Sequence, residues 1–113
     1  MDCIFCKIAN KEMTSQFVFE NEYMVAFRDL APQAPVHILA VPKIHISSMN
    51  EITKENSNII AEIFDSIKKI AELEGIKDSG YRVISNCGED GCQSVQHLHF
   101  HILGGRKLSE TLS

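Results

Sequence analysis

The stretch His97-Leu98-His99-Phe100-His101-Ile102-Leu103 puts a histidine at every second position, with an apolar residue between each pair. On an extended strand successive side chains point to opposite faces, so His97, His99 and His101 share one face. Leu98, Phe100 and Ile102 then form the other, a face suited to a core. Neighbouring histidines on such a strand stand roughly 6.5–7 Å apart, close enough to bracket one phosphate or to ligate one metal. The chain holds 5 histidines in all, and this run contains three of them. Chance alternation accounts poorly for that concentration.

Outward from this run, the segment Asn86-Cys87-Gly88-Glu89-Asp90-Gly91-Cys92-Gln93-Ser94 has two glycines, an amide pair and a hydroxyl immediately before the histidines. Such a loop presents backbone N–H groups and polar side chains to an anion. Residues 81–84 read as a fourth strand and residues 96–103 as the fifth. Further upstream, Ile59, Ile60, Ile63, Phe64, Ile67, Ile70 and Ala71 recur at helical spacing. Thr53 is the expected N-cap of this helix, Glu55 lies in its first turn, and Gly75 is its expected stop. It is the one long helix, amphipathic and laid against the sheet.

The N-terminal half supplies the other elements. Ile4, Phe5, Ile8 and Ala9 predict a short helix over residues 3–10. Residues 17–19 and 23–27 read as two strands joined at Asn21-Glu22, and residues 29–35, with two prolines, form a loop. Residues 36–41 are a third strand that carries His37. Five strands around one long helix predict an α+β domain with a mostly antiparallel sheet. Neither an internal repeat nor a composition shift divides the chain, so residues 1–113 are expected to form one domain.

Composition excludes some classes of function. Hydrophobic residues make up 44% of the chain and charged residues 23%, ordinary values for a globular protein. A net charge of −4 argues against a nucleic-acid polymer as partner, because such sites are built from clustered Lys and Arg. No apolar run approaches the roughly 20 residues of a membrane span, so no membrane association is expected. The start Met1-Asp2-Cys3 has no basic region followed by an apolar stretch, which makes the cytoplasm the expected location. Four cysteines could form two disulfides, but a cytosolic setting favours metal binding or free thiols. Cys3 and Cys6 form a Cys-x-x-Cys pair, while Cys87 and Cys92 sit in the Gly-rich turn. Histidine can act as nucleophile, proton carrier or metal ligand, so the run itself leaves open zinc ligation and phosphate chemistry. The adjoining loop favours phosphate chemistry.

The alternating histidines followed by two apolar residues resemble the signature of the histidine triad family. The likeness extends to Phe27-Arg28-Asp29-Leu30-Ala31-Pro32-Gln33-Ala34-Pro35-Val36-His37, to Val41-Pro42-Lys43-Ile44-His45, to Gln93-Ser94-Val95 and to Gly104-Gly105-Arg106. These segments resemble the Hint branch, nucleotide-binding proteins that hydrolyse nucleoside phosphoramidates. The resemblance implies the family fold and a reaction in which His99 attacks the α-phosphorus, forming a nucleotidyl-histidine intermediate that water then hydrolyses. It implies that His37 and His101 bond phosphate oxygens and that Ser94 assists the leaving group. It places Gln93 and Asn86 near the phosphate and Asp29 on the ribose hydroxyls. Ile4, Phe5, Ile8, Phe27 and Leu30 would form the purine slot, although core packing explains Ile8 equally well. The chain departs from the family pattern in three places. Cys92 stands where a glycine usually precedes Gln-Ser, Gln96 replaces a common aromatic, and the C-terminal tail lacks a Trp-containing ending.

The resemblance also gives the Cys-x-x-Cys pair its partners: Cys3, Cys6, His45 and His97 would hold a structural zinc that pins the N-terminal helix to the sheet. Cys87 and Cys92 compete as a ligand pair. Relatives of this kind pair through the long helix and the fourth strand, so a symmetric homodimer is expected. The expected activity is hydrolysis of purine nucleoside phosphoramidates, together with aminoacyl adenylates, releasing the nucleoside monophosphate. A dinucleoside polyphosphate hydrolase and a non-catalytic nucleotide-binding protein are the alternatives.

Overall fold

Five strands form one antiparallel sheet in the order β1-β2-β3-β5-β4, in a computed structural model that describes residues 3–112. The strands are β1 (Phe17–Glu20), β2 (Met24–Arg28), β3 (Val36–Pro42), β4 (Tyr81–Ile84) and β5 (Phe100–Gly104). Helix α1 spans Ile4–Ala9 and α2 spans Ser57–Leu73, with a single 3-10 turn at Met49–Glu51 between β3 and α2. The α+β class and the antiparallel pairing agree with the reading of the sequence.

Alternation along the strands divides the apolar residues between two faces. Met24, Ala26, Ile38, Ala40, Phe100 and Ile102 pack with Ile63, Ile67 and Ile70 of α2. Fully burying each of those isoleucines contributes roughly 1.5–3 kcal/mol. Val25, Phe27, Leu39 and Val41 project from the opposite face and pack with Phe5 and Ile8 of α1. By the same alternation His37 and His101 lie on the α1 side. His101 pairs across from Leu39, so His37, two residues earlier on β3, is its diagonal neighbour.

Local sequence sets most of the element ends. Asn21 Oδ1 accepts the N–H groups of Tyr23 (2.9 Å) and Met24 (3.0 Å), which turns β1 into β2. Gly75 ends α2 at φ +74°, where the Ile76 N–H reaches back to the Ala71 carbonyl at 2.9 Å. The expected N-cap needs correction. Thr53 precedes a separate turn, and α2 begins at Ser57. The Thr53 carbonyl accepts from Asn56 and Ser57 while Asn56 Oδ1 accepts the Thr53 N–H, so Thr53 starts the turn that leads into the helix.

The fifth strand also starts later than expected, at Phe100 instead of residue 96. Residues 95–99 are held by other partners: the Leu98 N–H donates to the Ile46 carbonyl at 2.6 Å, and the His97 ring donates to the Pro42 carbonyl at 2.9 Å. The facing pattern nevertheless survives. Leu98, Phe100 and Ile102 all join the α2-side core, while Phe5 of the α1-side cluster stacks edge-on against both His97 and His99.

Candidate active site

A pocket of about 290 Å³ opens on the α1 side of the sheet. Its lining brings together most of the residues expected from the sequence: Ile4, Phe5, Ile8, Phe27, Asp29, Leu30, Ser94, His99 and His101. Phe5 and Phe27 form its buried apolar wall, with ring centroids 5.6 Å apart. Leu30 stands at the rim, 93% exposed. Ile8 serves both readings, since it is buried in the α1-side cluster and also lines the pocket.

Hydrogen bonds assign the proton on each histidine. His99 Nδ1 lies 2.7 Å from the carbonyl oxygen of His97. A carbonyl only accepts, so Nδ1 carries the proton and Nε2 of the neutral ring keeps its lone pair. His37 shows the reverse arrangement. The Gln33 backbone N–H donates to His37 Nδ1 at 3.0 Å, which leaves the proton on Nε2. His37 Nε2 then donates to His101 Nδ1 at 2.9 Å, and His101 in turn holds its proton on Nε2. Asp29 Oδ2 lies 3.4 Å from His37 Nε2, and its Oδ1 accepts the Ala31 N–H at 2.8 Å. Burial lowers the His37 pKa, with the Asp29 carboxylate opposing it. Burial, with His99 and His37 alongside, pushes His101 down to about 4. Both rings are therefore neutral donors at pH 7.

The loop between β4 and β5 carries a different assignment from the expected one. Asn86 and Gln93 do not line the pocket. Gln93 is buried, its Nε2 donating to the carbonyls of Ser47 (2.7 Å) and Val95 (3.0 Å) and its Oε1 accepting the Gly88 N–H (3.0 Å). Asn86 Nδ2 donates to the Gly91 carbonyl at 2.7 Å. These two amides brace the loop that presents Ser94. A side chain at Gly91 would collide with the Cys87 carbonyl, so glycine is required there. Cys92 sits at φ +61°, in the left-handed region that favours glycine. One of the departures from the family pattern thus coincides with one of the two non-glycine residues, Lys11 and Cys92, held at positive φ among the described residues.

Several participants gave no signal in the sequence. Met13, Thr14, Ser15, Leu39 and Val95 also line the pocket. Ser85 Oγ donates to the His99 carbonyl at 2.9 Å and so holds the backbone of that residue. Gln33 acts through its amide, which no residue type could reveal.

A second cluster lies beside the pocket. Ligand atoms of Cys3, Cys6, His45 and His97 all lie within 4.8 Å of one another. His97 Nδ1 faces both thiols, at 3.3 Å from Cys3 Sγ and 3.4 Å from Cys6 Sγ, and His45 Nδ1 lies 3.3 Å from Cys6 Sγ. Burial, with Cys3 alongside, pushes the Cys6 thiol up to about 11. The donor set fits a divalent metal. His97 places its Nε2–H on the Pro42 carbonyl and turns an unprotonated Nδ1 toward the thiols, as a metal-bound histidine does. Asp29, His37 and His101 also gather within 4.8 Å, but the Gln33 amide keeps a proton on the His37 nitrogen that faces the other two. That group is a hydrogen-bonded His37–His101 pair with Asp29 alongside. Among the described residues the three histidines of the run do not gather as one metal-binding group.

The sequence and the fold have close counterparts among known proteins. Residues 2–112 match the family model described as "Scavenger mRNA decapping enzyme C-term binding". A histidine triad protein of Clostridium difficile, solved at 0.95 Å, is 51% identical and superposes with a TM-score of 0.95 over 98% of this chain and 96% of that one. The purine nucleoside phosphoramidase of Escherichia coli K12 is 42% identical over 112 residues, covering 99% of this chain and 94% of that protein. A 14 kDa zinc-binding protein of Brassica juncea is 40% identical over 110 residues, 96% of each chain. The chain belongs to the histidine triad family and is an enzyme of its hydrolase class.

The strain at Cys92 is testable. A non-glycine residue in the left-handed region costs about 1–2 kcal/mol, part of which glycine returns as chain entropy in the unfolded state. Cys92→Gly is expected to raise stability by up to about 1 kcal/mol, and Cys92→Val to lower it, as read by denaturant titration.

Proposed function

We propose that the chain hydrolyses purine nucleoside 5′-phosphoramidates through a nucleotidyl-histidine intermediate at His99. The observation that carries this reading is the His99 Nδ1–H bond to the His97 carbonyl, beside an apolar pocket sized for a base. It leaves the Nε2 lone pair as the nucleophile, and the carbonyl dipole stabilises the positive charge that the ring gains on phosphorylation. Nε2 forms a bond to the α-phosphorus as the P–N bond breaks, and the amine departs with a proton that the Ser94 hydroxyl relays to it from solvent water. Water then displaces the histidine, releasing the nucleoside monophosphate. The neutral His101 Nε2–H donates to a phosphate oxygen, with its orientation held by His37. Ser94 stands at the leaving-group side, Asp29 takes the ribose hydroxyls, and Phe5, Phe27, Ile4, Ile8 and Leu30 enclose the base. Gln93 and Asn86 act by holding the loop.

The reading extends to cofactor, assembly and location. Cys3, Cys6, His45 and His97 would hold one zinc ion, in keeping with the zinc-binding relative. A symmetric homodimer is supported by the exposed Phe64 (54%), Tyr81 (36%) and Val83 (39%), which line an apolar groove between α2 and the unpaired edge of β4. The partner small molecule on this reading is a purine nucleotide, with neither a nucleic-acid polymer nor a membrane as partner. No helix among the described residues is long and apolar enough to cross a membrane. A cytoplasmic location accords with free cysteines, as all four are unpaired.

His99→Ala is expected to lower single-turnover hydrolysis of a lysyl-linked nucleoside phosphoramidate by roughly four orders of magnitude or more while nucleoside monophosphate still binds. Retention within about tenfold, ~1.4 kcal/mol of transition-state stabilisation, would sink the assignment. Faster turnover of a dinucleoside triphosphate by the wild type would favour the sister activity. Elemental analysis of protein prepared without chelator is expected to find about one zinc per chain, and finding none removes the zinc site. Light scattering at micromolar concentration is expected to give twice the chain mass; a single-chain mass refutes the dimer.

A further inference from the structure

We propose that the Cys3/Cys6/His45/His97 cluster is a positioning device for the nucleophile, so that metal held there sets the direction of the His99 ring and the wall of the base pocket. The inference rests on the proposed role of His99. Two routes of contact lead from the cluster to the pocket.

The first runs through His97. Its ring is fixed at both nitrogens, by the Pro42 carbonyl at 2.9 Å and by the two thiols at 3.3 and 3.4 Å. The carbonyl of the same residue accepts the His99 Nδ1–H at 2.7 Å. Residues 97–99 lie outside the β-ladder, so the position of that carbonyl depends on how the His97 side chain is anchored. Release of the ring from the thiols would free the peptide that fixes the tautomer of the nucleophile. His97 is thus a positioning residue.

The second runs through α1. Cys3 and Cys6 flank Ile4 and Phe5, both in the pocket lining. The Phe5 ring stands edge-on to His99 with centroids 5.1 Å apart. At six residues α1 is far shorter than the roughly 12–15 that an isolated helix needs for even marginal stability. Its placement comes from packing and from the two cysteines at its start. Loss of ligation there loosens the pocket wall and the ring that abuts the nucleophile.

A metal that serves stability alone predicts a different outcome, namely a lower melting temperature with unchanged affinity and unchanged histidine chemistry. The test is to strip the purified protein with chelator, refill it with Zn2+, and measure AMP and GMP affinity by calorimetry alongside the ¹⁵N ring shifts of His99. Stripping is expected to weaken nucleotide affinity about tenfold and to replace the single Nδ1–H tautomer of His99 by a mixture, both reversed by Zn2+. By reciprocity, bound nucleotide must tighten zinc by the same factor. A stripped protein that stays folded, binds AMP or GMP within about twofold and keeps one His99 tautomer overturns the proposal. Should the stripped chain unfold, His45→Ala provides the decision, because His45 lies outside the pocket lining and its loss weakens the metal site without deleting His97 or α1. Nucleotide affinity is then expected to follow free zinc at higher concentrations than in the wild type; affinity independent of zinc in that folded variant overturns the idea. If the loaded protein binds neither nucleotide, the functional reading fails, while the ligand-free His99 shifts still decide the coupling.

Discussion

The site depends on one hydrogen bond, from His99 Nδ1–H to the carbonyl of His97, two residues back in the chain. A neutral imidazole offers either nitrogen as a base, and only the one without a proton can attack phosphorus. A backbone carbonyl removes the ambiguity because it has no proton to give. The price is an irregular backbone at residues 97–99, where a β-ladder would have directed that carbonyl to a neighbouring strand. Ser85 on the His99 carbonyl and Ile46 on the Leu98 N–H take up the hydrogen bonds that the ladder would have supplied.

The same rule separates the two histidine clusters on this face of the sheet. His97 and His99 each donate to a carbonyl, so each turns a lone pair outward, one toward the thiols and one toward the pocket. His37 instead accepts from the Gln33 amide, so its outward nitrogen is a donor, and His101 transmits that polarity onward. The proposed ligand, nucleophile and donor are thus the same residue type, distinguished by what the second nitrogen meets. Asp29 is compatible with this chain because it lies 3.4 Å from a nitrogen that carries a proton.

Features with a local cause were legible in the sequence. The alternation from His97 to Ile102 is a period-2 pattern, and the partition of those residues between two faces follows from it. The stop at Gly75 and the short helix α1 likewise follow from nearby residues. What escaped was set by distant partners. The late start of β5 goes with partners outside the ladder, the Ile46 carbonyl on the Leu98 N–H and the Pro42 carbonyl on the His97 ring. Gln93 and Asn86 are polar residues in a glycine-containing loop, and nothing in their type tells bracing from binding. Gln33 contributes a backbone amide that every residue except proline possesses. The strain at Cys92 was visible only as a departure from a family pattern, and the positive φ supplies its physical meaning.

The charge of the pocket narrows what it recognises. Arg28 is the one Lys or Arg among its lining residues, and its guanidinium is held by both carboxylate oxygens of Glu74, at 2.7 and 3.0 Å. Asp29 adds a carboxylate. An anionic phosphate would therefore meet neutral imidazole donors instead of free cations. Such donors gain strength from burial, because a hydrogen bond in a low-dielectric setting is worth more than in water. They contribute no long-range attraction of the kind that nucleic-acid surfaces gain through released counterions. On the proposed reading, recognition falls to the apolar wall of Phe5 and Phe27 and to the carboxylate of Asp29. A flat base, a diol and a single reacting phosphate match these three surfaces, and that combination is the chemistry of one nucleotide.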